Sequence, residues 1–288
     1  MPRQSPVTWL MPLGTLIQFA LPRWFILPLV RLIGGLSFRW AGRRRELTIA
    51  NQRRLLGPTA DEREVLASAR RVFVHLAMNY ADLLRVPVFK RRVTSLARTD
   101  FRGLDRALES GRGCILVTAH LGNWDLAGVY VTACGYPLSA VVEPVPAGWS
   151  RTFNRYRSQT NLETISMRDR EGMTRALTSN RVFTLVADRD LTGRGLPCPA
   201  FGATRSYPRG PAAYALRHDL PVVIGYFVFA QTRGHPPYIA VTEPPLGFRP
   251  SGDMSRDIDD LTRTIAARLN ELIARYHDQW LVFRAGWK

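Results

Sequence analysis

Short apolar runs alternate with amphipathic stretches along most of this chain. The apolar runs are rich in β-branched residues, which is typical of buried strands. From residue 100 onward they are separated by stretches in which apolar residues recur at helical spacing. This alternation predicts an α/β fold with a mostly parallel central sheet and helices on both faces. The predicted strands are residues 114–119, 138–142, 164–167, 182–187, 221–229 and 238–242.

Two long amphipathic helices are predicted on either side of the strands. The first covers residues 60–85, follows the capping box Thr59–Glu62 and ends before Pro87. The second carries apolar residues at helical spacing from Ile258 to Tyr276. Each has one apolar face, so each is expected to pack against the body of the protein.

The predicted strand Cys114–Ala119 ends at a histidine, His120. In open α/β sheets, ligands bind at the carboxyl ends of strands. A turn through Gly122 leads into a predicted helix whose first turn carries Asp125, so the imidazole and the carboxylate can meet. A carboxylate that holds one ring nitrogen leaves the other free to accept a proton. A structural histidine before a helix with an acidic first turn explains the same spacing.

Charge narrows the possible partners. The formal net charge of +17 suits nucleic acid, an anionic membrane surface or phosphate-bearing substrates. We find no nucleic-acid recognition module, and an apolar amino terminus has no role in nucleic-acid binding. The three cysteines form no C-x-x-C pair and the five histidines form no ligand cluster. We therefore expect no nucleic acid, no metal and no cofactor.

The first 40 residues combine apolar character with interruptions. Residues 4–22 carry no charge, but prolines at positions 6, 12, 22 and 28 argue against one continuous membrane span. Broken amphipathic helices lying in the membrane surface fit better, and the arginines at 39–54 would attract anionic lipid. Core helices that cap the domain are the alternative. We divide the chain into a membrane-associating helical segment, residues 1–40, and a main domain, residues 41–288.

The segment His120-Leu-Gly-Asn-Trp-Asp125 resembles the signature of the bacterial glycolipid acyltransferases. These include the lipid A lauroyl/myristoyl transferases and, closest in pattern, the phosphatidylinositol mannoside acyltransferases, within the lysophospholipid acyltransferase group. Other stretches are similar to the same family, including Gly42–Asn51, Phe201-Gly202, Gly210–Ala212 and the carboxyl-terminal segment Trp280–Arg284. The resemblance implies a glycerolipid-acyltransferase-like fold for the main domain. It also implies that His120 is the general base and Asp125 its orienting carboxylate.

Two further site residues follow from the resemblance. Glu143 lies about as far along the chain from His120 as a functionally implicated glutamate of the mannoside acyltransferases. An exposed loop charge is the alternative interpretation of Glu143. Arg168 resembles an arginine of the lipid A transferases and is preferred over Arg170, although the match needs a one-residue gap.

The end of the predicted strand 182–187 supplies the remaining candidates. Asp188-Arg189-Asp190 resembles an Asp-x-Asp stretch of the family and is expected to bind substrate, with an ordinary ion pair at a turn as the alternative. Asn123, at the helix start after His120, is expected to lie near oxyanion donors. One departure is clear, because residues 196–200 lack a second glutamate that the mannoside acyltransferases carry in this interval.

Together these features predict an acyltransferase on the cytoplasmic face of the inner membrane, held peripherally or monotopically. It would move a fatty acyl chain from acyl-CoA or acyl-carrier protein to a hydroxyl of a phosphatidylinositol mannoside or lipid A type glycolipid. The hydroxyl would attack directly, since no activated Ser or Cys accompanies His120. The alternatives are a lysophospholipid or glycerolipid acyltransferase and a non-enzymatic basic protein that binds membranes.

Overall fold

The computed structural model describes residue 16 and residues 21–86, 92–143, 162–230 and 236–287, and three helices before the first strand are described from end to end. They are α1 (Arg23–Trp40), α2 (Arg43–Leu56) and α3 (Glu62–Leu84). The α1 helix packs along α3. Gly34 permits this close approach, because a Cβ atom there would lie 2.8 Å from the Cα atom of Val74.

The length and apolar character of the described amino-terminal helices decide whether one of them could cross a membrane. Among the described residues, no single helix has the length and apolar character needed to cross a membrane. The pair α1 and α2, bent by 100° at their junction, meets that requirement only when taken together. Residues 1–15 and 17–20 of the predicted membrane-associating segment lie outside the described residues. Membrane association and the division at residue 40 therefore stay predictions.

The rest of the described chain alternates strands and helices around a central sheet. In chain order its elements are the 3₁₀ turn Val93–Leu96, β1 (Ala97–Asp100), α4 (Arg102–Leu108), β2 (Cys114–Thr118), α5 (Trp124–Ala133), β3 (Leu138–Val142), β4 (Glu163–Ser166), α6 (Arg170–Leu177), β5 (Val182–Val186), β6 (Leu196–Ala200), β7 (Ala203–Tyr207), α7 (Gly210–His218), β8 (Val222–Phe229), β9 (Tyr238–Thr242), α8 (Met254–Arg275) and the 3₁₀ turn His277–Gln279.

The central sheet has seven strands in the order β1-β9-β8-β2-β5-β3-β4. The β8–β9 pair is antiparallel, whereas the other paired strands of this sheet run parallel. The prediction of a mostly parallel sheet flanked by helices is therefore confirmed. Every predicted strand is present, with its ends moved by a residue or so.

Two apolar layers enclose the sheet. Residues of α3, α4 and α5 pack with Leu116 and Val223 on one face. Residues of α6, α7 and α8 pack with Ile115, Val117 and Ile224 on the other. Because β2 is buried on both faces, its sequence is a continuous apolar run rather than an alternating one.

A small hairpin formed by β6 and β7 was not predicted from the sequence. Pro197 and Pro199 argue against a central strand, and here they occupy exposed positions of a two-stranded antiparallel pair. The turn between the strands consists of Phe201 and Gly202, with φ angles of +50° and +72°. Two successive positive φ angles are the requirement of a tight hairpin turn, which explains a glycine here.

The turn that follows β2 is pressed against the backbone of β8. Gly122 has a φ of +60°. Its N–H donates to the carbonyl of Gln279 at 2.9 Å, and the N–H of Asn123 donates to the carbonyl of Phe227 at 2.9 Å. A Cβ atom at Gly122 would lie 2.1 Å from that Phe227 oxygen. Only glycine fits this turn. The turn therefore fixes the position of His120, the residue at its start, relative to β8.

We predict that Gly122→Ala destabilises the protein more than Gly111→Ala does. Gly111 has a similar φ of +69°, but a Cβ atom there would meet nothing within 4 Å. Both variants suffer the left-handed backbone cost of about 1–2 kcal/mol. The clash with Phe227 should add about 1–3 kcal/mol at Gly122 alone. Urea unfolding of both variants measures the difference, and equal losses would contradict the close approach.

Candidate active site

His120 lies immediately beyond β2 with its ring partly buried. Its Nδ1 atom is 2.7 Å from Oδ1 of Asp188, and the side chain is 14% exposed. Trp124 contacts the ring edge-on, with 5.0 Å between centroids. The backbone carbonyl of His120 accepts a hydrogen bond from the N–H of Leu281 at 2.8 Å. Contacts to the ring and to the backbone of His120 therefore fix the position of the imidazole.

Parallel pairing of β2 and β5 explains why Asp188 meets His120. Thr118 is paired with Val186, so the residues two positions further on each strand come side by side. Asp188 is 0% exposed, and its Oδ2 atom accepts a hydrogen bond from the indole N–H of Trp280 at 2.8 Å. The sequence led us to expect Asp125 in this orienting position, but the carboxylate bonded to Nδ1 is that of Asp188.

The carboxyl group of Asp188 is ionised despite its burial. Burial by itself raises its pKa, but the neighbouring His120, the hydrogen bonds from His120 and Trp280 and the charge of Arg205 lower the pKa to about 2. An ionised carboxylate can only accept hydrogen bonds, so Nδ1 of His120 carries the proton. In the neutral imidazole the other ring nitrogen, Nε2, then has its lone pair available, which is the state required of a general base.

Arg205 and two tryptophans support Asp188 from behind. Arg205 is 4% exposed, and its Nε and Nη2 atoms each donate to the backbone carbonyl of Asp188 at 3.1 Å. The guanidinium lies 4.7 Å from the ring of Trp280 and 5.0 Å from that of Trp287. Sequence reasoning missed Arg205 and noted Trp280 only as part of a carboxyl-terminal resemblance. Neither residue carries a local signal of its role.

Arg189 and Glu143 lie on the other side of the imidazole. The Nη1 atom of Arg189 is 3.3 Å from Nε2 of His120 and 3.4 Å from Oε1 of Glu143. The structure thus brings Glu143, Arg189 and His120 together, although they come from three different strand ends. Since arginine can only donate, its contact agrees with an Nε2 atom that accepts.

Asp125 and Asn123 occupy neighbouring positions with different surroundings. Asp125 lines the same cavity as His120. Burial and, after it, the charge of Asp125 raise the pKa of Tyr80. Asn123 is 1% exposed and caps α5: its Oδ1 accepts from the N–H of Leu126 at 3.2 Å and its Nδ2 donates to the hydroxyl of Tyr238 at 3.2 Å. The Asn123 side chain is thus engaged inside the protein.

Asp190 organises the loop after β5. Its Oδ1 accepts from the N–H groups of Thr192 and Gly193, and its Oδ2 accepts from the N–H of Gly195 and the hydroxyl of Ser206. Burial raises its pKa, but these hydrogen bonds together lower it to about 2. Both oxygens are thus used to shape the loop, whereas the sequence suggested a substrate contact.

Arg168 follows β4 and has an exposed side chain. The backbone N–H of Arg168 donates to the hydroxyl of Ser166 at 3.3 Å. The preceding residue, Met167, lines the cavity beside His120, whereas Arg168 is absent from the cavity wall as the described residues form it.

A cavity of about 720 Å³ opens beside His120 and continues between α5 and the sheet. Its inner wall is largely apolar and includes Leu116, Val131, Leu138 and Phe227. Arg189, Arg194 and Arg209 line it together with His120. No group of three or more His, Cys, Asp or Glu side chains in the described part of the chain could hold a metal ion. The cavity thus combines a basic rim with space for a hydrocarbon chain.

We predict that Asp188 makes stability depend on pH in strongly acidic solution. Its folded-state pKa of about 2 lies below the ordinary value of 3.8, so its contribution is present above the ordinary value and is lost as the pH falls through about 2. The shift corresponds to a contribution on the order of 2 kcal/mol. The stability advantage of wild type over Asp188→Asn should therefore shrink between pH 5 and pH 2 in urea unfolding.

Asp219→Asn is the matched control for that measurement, because this side chain is 87% exposed and lies at a helix end where asparagine is also tolerated. A pH-independent difference between wild type and Asp188→Asn would contradict the ionised state of the buried carboxyl group.

Comparisons with known proteins identify the family of this chain. The family model described as bacterial lipid A biosynthesis acyltransferase matches residues 1–288. The chain is 30% identical over 249 residues to the phosphatidylinositol mannoside acyltransferase of Mycolicibacterium smegmatis, covering 82% of this chain and 77% of the relative. It is 29% identical over 223 residues to the enzyme of the same name from Mycobacterium tuberculosis, covering 72% and 66%. The chain therefore belongs to the bacterial lipid A biosynthesis acyltransferase family.

Proposed function

We propose that this acyltransferase moves a fatty acyl chain from an acyl thioester to a hydroxyl of a glycolipid, with His120 as the general base. The observation that carries the proposal is the hydrogen bond between Nδ1 of His120 and the buried, ionised Asp188. It leaves Nε2 as the proton acceptor beside a cavity with apolar walls. Asp188 thus takes the orienting role that the sequence suggested for Asp125.

The reaction begins when an acceptor hydroxyl replaces Arg189 at Nε2 of His120. The imidazole takes the hydroxyl proton while the oxygen attacks the thioester carbonyl carbon, and Asp188 stabilises the imidazolium. The tetrahedral intermediate then collapses, the carbon–sulfur bond breaks, and the imidazolium returns the proton to the leaving thiolate. Ester and free thiol are the products, so atoms and charge balance.

The cysteines do not offer an acyl-enzyme route. Cys114 is buried, and burial raises the pKa of its thiol to about 12. Burial also raises the pKa values of Cys134 and Cys198. A thiol with a raised pKa is a poor nucleophile near neutral pH, which supports direct attack by the acceptor hydroxyl.

Arginines at the cavity rim supply the positive charge that the substrates need. Arg189 lies close enough to the reacting atoms to stabilise the oxyanion, and Glu143 holds it in place at 3.4 Å. Arg194 and Arg209 also line the cavity. We assign them to phosphate groups of the donor, acyl-CoA or acyl-carrier protein, or of the acceptor. Asp125 and the exposed Arg168 are proposed to contact the acceptor headgroup.

The acceptor is proposed to be a phosphatidylinositol mannoside type glycolipid, since both relatives carry that activity in their names. A lipid A type glycolipid is a second form of the same class. A lysophospholipid is the competing acceptor, because the same base and thioester chemistry would acylate its hydroxyl.

The outer face of α1 supports binding to a membrane surface. Seven large apolar side chains on this helix are exposed although its inner face packs on α3: Trp24, Phe25, Leu29, Leu32, Ile33, Leu36 and Trp40. Trp24 and Trp40, each 76% exposed, mark the two ends of the helix. An exposed apolar stripe beside basic residues is typical of helices that lie in a membrane interface. We propose a peripheral or monotopic location on the cytoplasmic face of the inner membrane.

We predict that His120→Ala and Asp188→Asn each lower turnover by about 10²–10⁴-fold. The first removes the base, and the second removes the acceptor that fixes its tautomer. Asp125→Asn should cost less, because the carboxylate bonded to Nδ1 is that of Asp188. Purified variants in mixed micelles are assayed by mass spectrometry with an acyl-CoA donor, an acyl-carrier-protein donor, a mannoside acceptor and a lysophospholipid acceptor.

Three outcomes decide between the assignments. Near-wild-type turnover of folded His120→Ala would refute the general base. Loss of activity in Asp125→Asn with normal turnover in Asp188→Asn would return the orienting role to Asp125. Faster acylation of the lysophospholipid than of the mannoside would favour a glycerolipid acyltransferase.

We also predict that Leu32→Ser/Ile33→Ser weakens binding to anionic vesicles at least tenfold. Each lost apolar side chain removes about 1.5–3 kcal/mol of burial when it leaves the lipid interface. Vesicle co-sedimentation at constant salt measures the effect. Met254→Ser, which alters a residue of α8 that is 47% exposed, is the control and should bind normally. Unchanged binding of the double variant would exclude α1 as the membrane surface.

A further inference from the structure

In the part of the cavity wall that β8 forms, one position has no side chain. Val223, Gly225, Phe227 and Phe229 alternate along the face of this strand that packs toward α5. Val223, Phe227 and Phe229 are buried, with exposed fractions between 0% and 6%. Gly225 alone in this row has no side chain, and it lines the cavity.

The backbone gives no reason for a glycine at this position. Gly225 is absent from the residues with positive φ among those described, and it pairs regularly with Thr242 of β9. A Cβ atom at Gly225 would lie 2.8 Å from Cδ1 of Leu116 and 3.5 Å from Cγ2 of Thr242, and both of these residues line the cavity. A glycine inside a strand weakens the strand unless something approaches closely. The place of the missing side chain is therefore partly filled by Leu116, and a side chain at position 225 would displace Leu116, which lines the cavity.

Gly225 lies between β2, which leads to His120, and the part of the cavity wall that β9 forms. His120 follows β2, and the cavity reaches Ala240 and Thr242 on β9. In the sheet β8 lies between β2 and β9, so this far wall is about 10 Å across the sheet from β2. Gly225 lies between the two. Phe101, Leu116, Phe227 and Ala240 make this part of the cavity apolar.

We propose that Gly225 sets the length of the acyl chain that the enzyme accepts. A chain whose carbonyl carbon lies beside His120 extends over Gly225 toward Ala240 and Thr242, and a side chain at position 225 would stop it short. This inference rests on the proposed function, because the occupant is the hydrocarbon chain of the acyl donor. Gly225 is a specificity-determining residue here and takes no part in proton transfer.

The test compares chain-length profiles of Gly225→Ala and Gly225→Val with that of wild type. The ratio of kcat/KM for the longest good acyl donor to that for a donor four carbons shorter should fall at least tenfold. Tenfold corresponds to about 1.4 kcal/mol, or roughly two methylene groups no longer buried. Ala240→Val narrows the same end from β9 and should shift the profile in the same direction.

Leu116→Ala/Gly225→Ala is the compensating variant, since it removes the methyl group that the new Cβ atom would meet. Its profile should return toward that of wild type. Ile224→Val is the matched control, because Ile224 precedes Gly225 but packs on the opposite face of the sheet. It should lower stability and leave the profile unchanged.

A binding measurement separates this inference from the proposed function. Thermal shifts of wild type and Gly225→Val are recorded with saturated fatty acids of graded length and no acceptor. The optimum should move to shorter chains in the variant. If it moves while no acyl donor supports transfer, the proposed function fails and the role of Gly225 stands. Identical transfer profiles for wild type, Gly225→Ala and Ala240→Val, together with identical binding profiles for wild type and Gly225→Val, would overturn the role of Gly225.

Discussion

The site depends on one buried negative charge, the carboxylate of Asp188. An ionised carboxylate inside a protein is costly unless charges and hydrogen-bond donors surround it. Here His120, Trp280 and Arg205 all act on it, and together they offset its burial. Removing any one of them leaves the charge less compensated. Stability and catalysis therefore rest on the same contacts, since the group that orients the imidazole is also the group that requires it.

The partners of Asp188 come from distant parts of the chain, so the site forms only in the complete fold. Arg205 lies on β7, and Trp280 follows the last helix. The carboxyl-terminal segment also contacts the catalytic turn directly: the N–H of Leu281 donates to the carbonyl of His120, and the carbonyl of Gln279 accepts from the N–H of Gly122. The side chain of Gln279 in turn bonds the N–H and carbonyl of Phe229 on β8. The histidine is thus tied to a neighbouring strand through the end of the chain.

The sequence predicts the strands, the long helices and His120, but it does not predict the contacts that the sheet makes between distant residues. The strands and long helices follow from apolar spacing, and His120 is identifiable because it ends an apolar run. Asp125 was expected to orient His120 because it is the nearest carboxylate in the chain. The actual neighbour, Asp188, is 68 positions away, and only the order β2-β5 in the sheet makes them adjacent. Arg205 gives no sequence signal, because its role comes from stacking on Trp280 and Trp287.

A second buried network of polar side chains links α1 to the main domain. Arg23, at the start of α1, pairs with Asp82 of α3 at 3.0 Å. Asp82 accepts a hydrogen bond from the hydroxyl of Tyr238 at 2.5 Å. That hydroxyl accepts a hydrogen bond from the side chain of Asn123, the N-cap of α5. Burial, followed by the charge of Asp82 and the hydrogen bond to it, raises the pKa of Tyr238 well above its usual range, so the phenol stays protonated and donates. Deleting residues 1–40 would remove Arg23, one of two arginines whose charges act on the buried Asp82, which is a destabilising change. If the truncated protein moved to the soluble fraction, misfolding and lost membrane contact would both explain the change. Substitutions on the exposed face of α1 leave Arg23 in place, so they separate the membrane surface of this helix from its part in the fold.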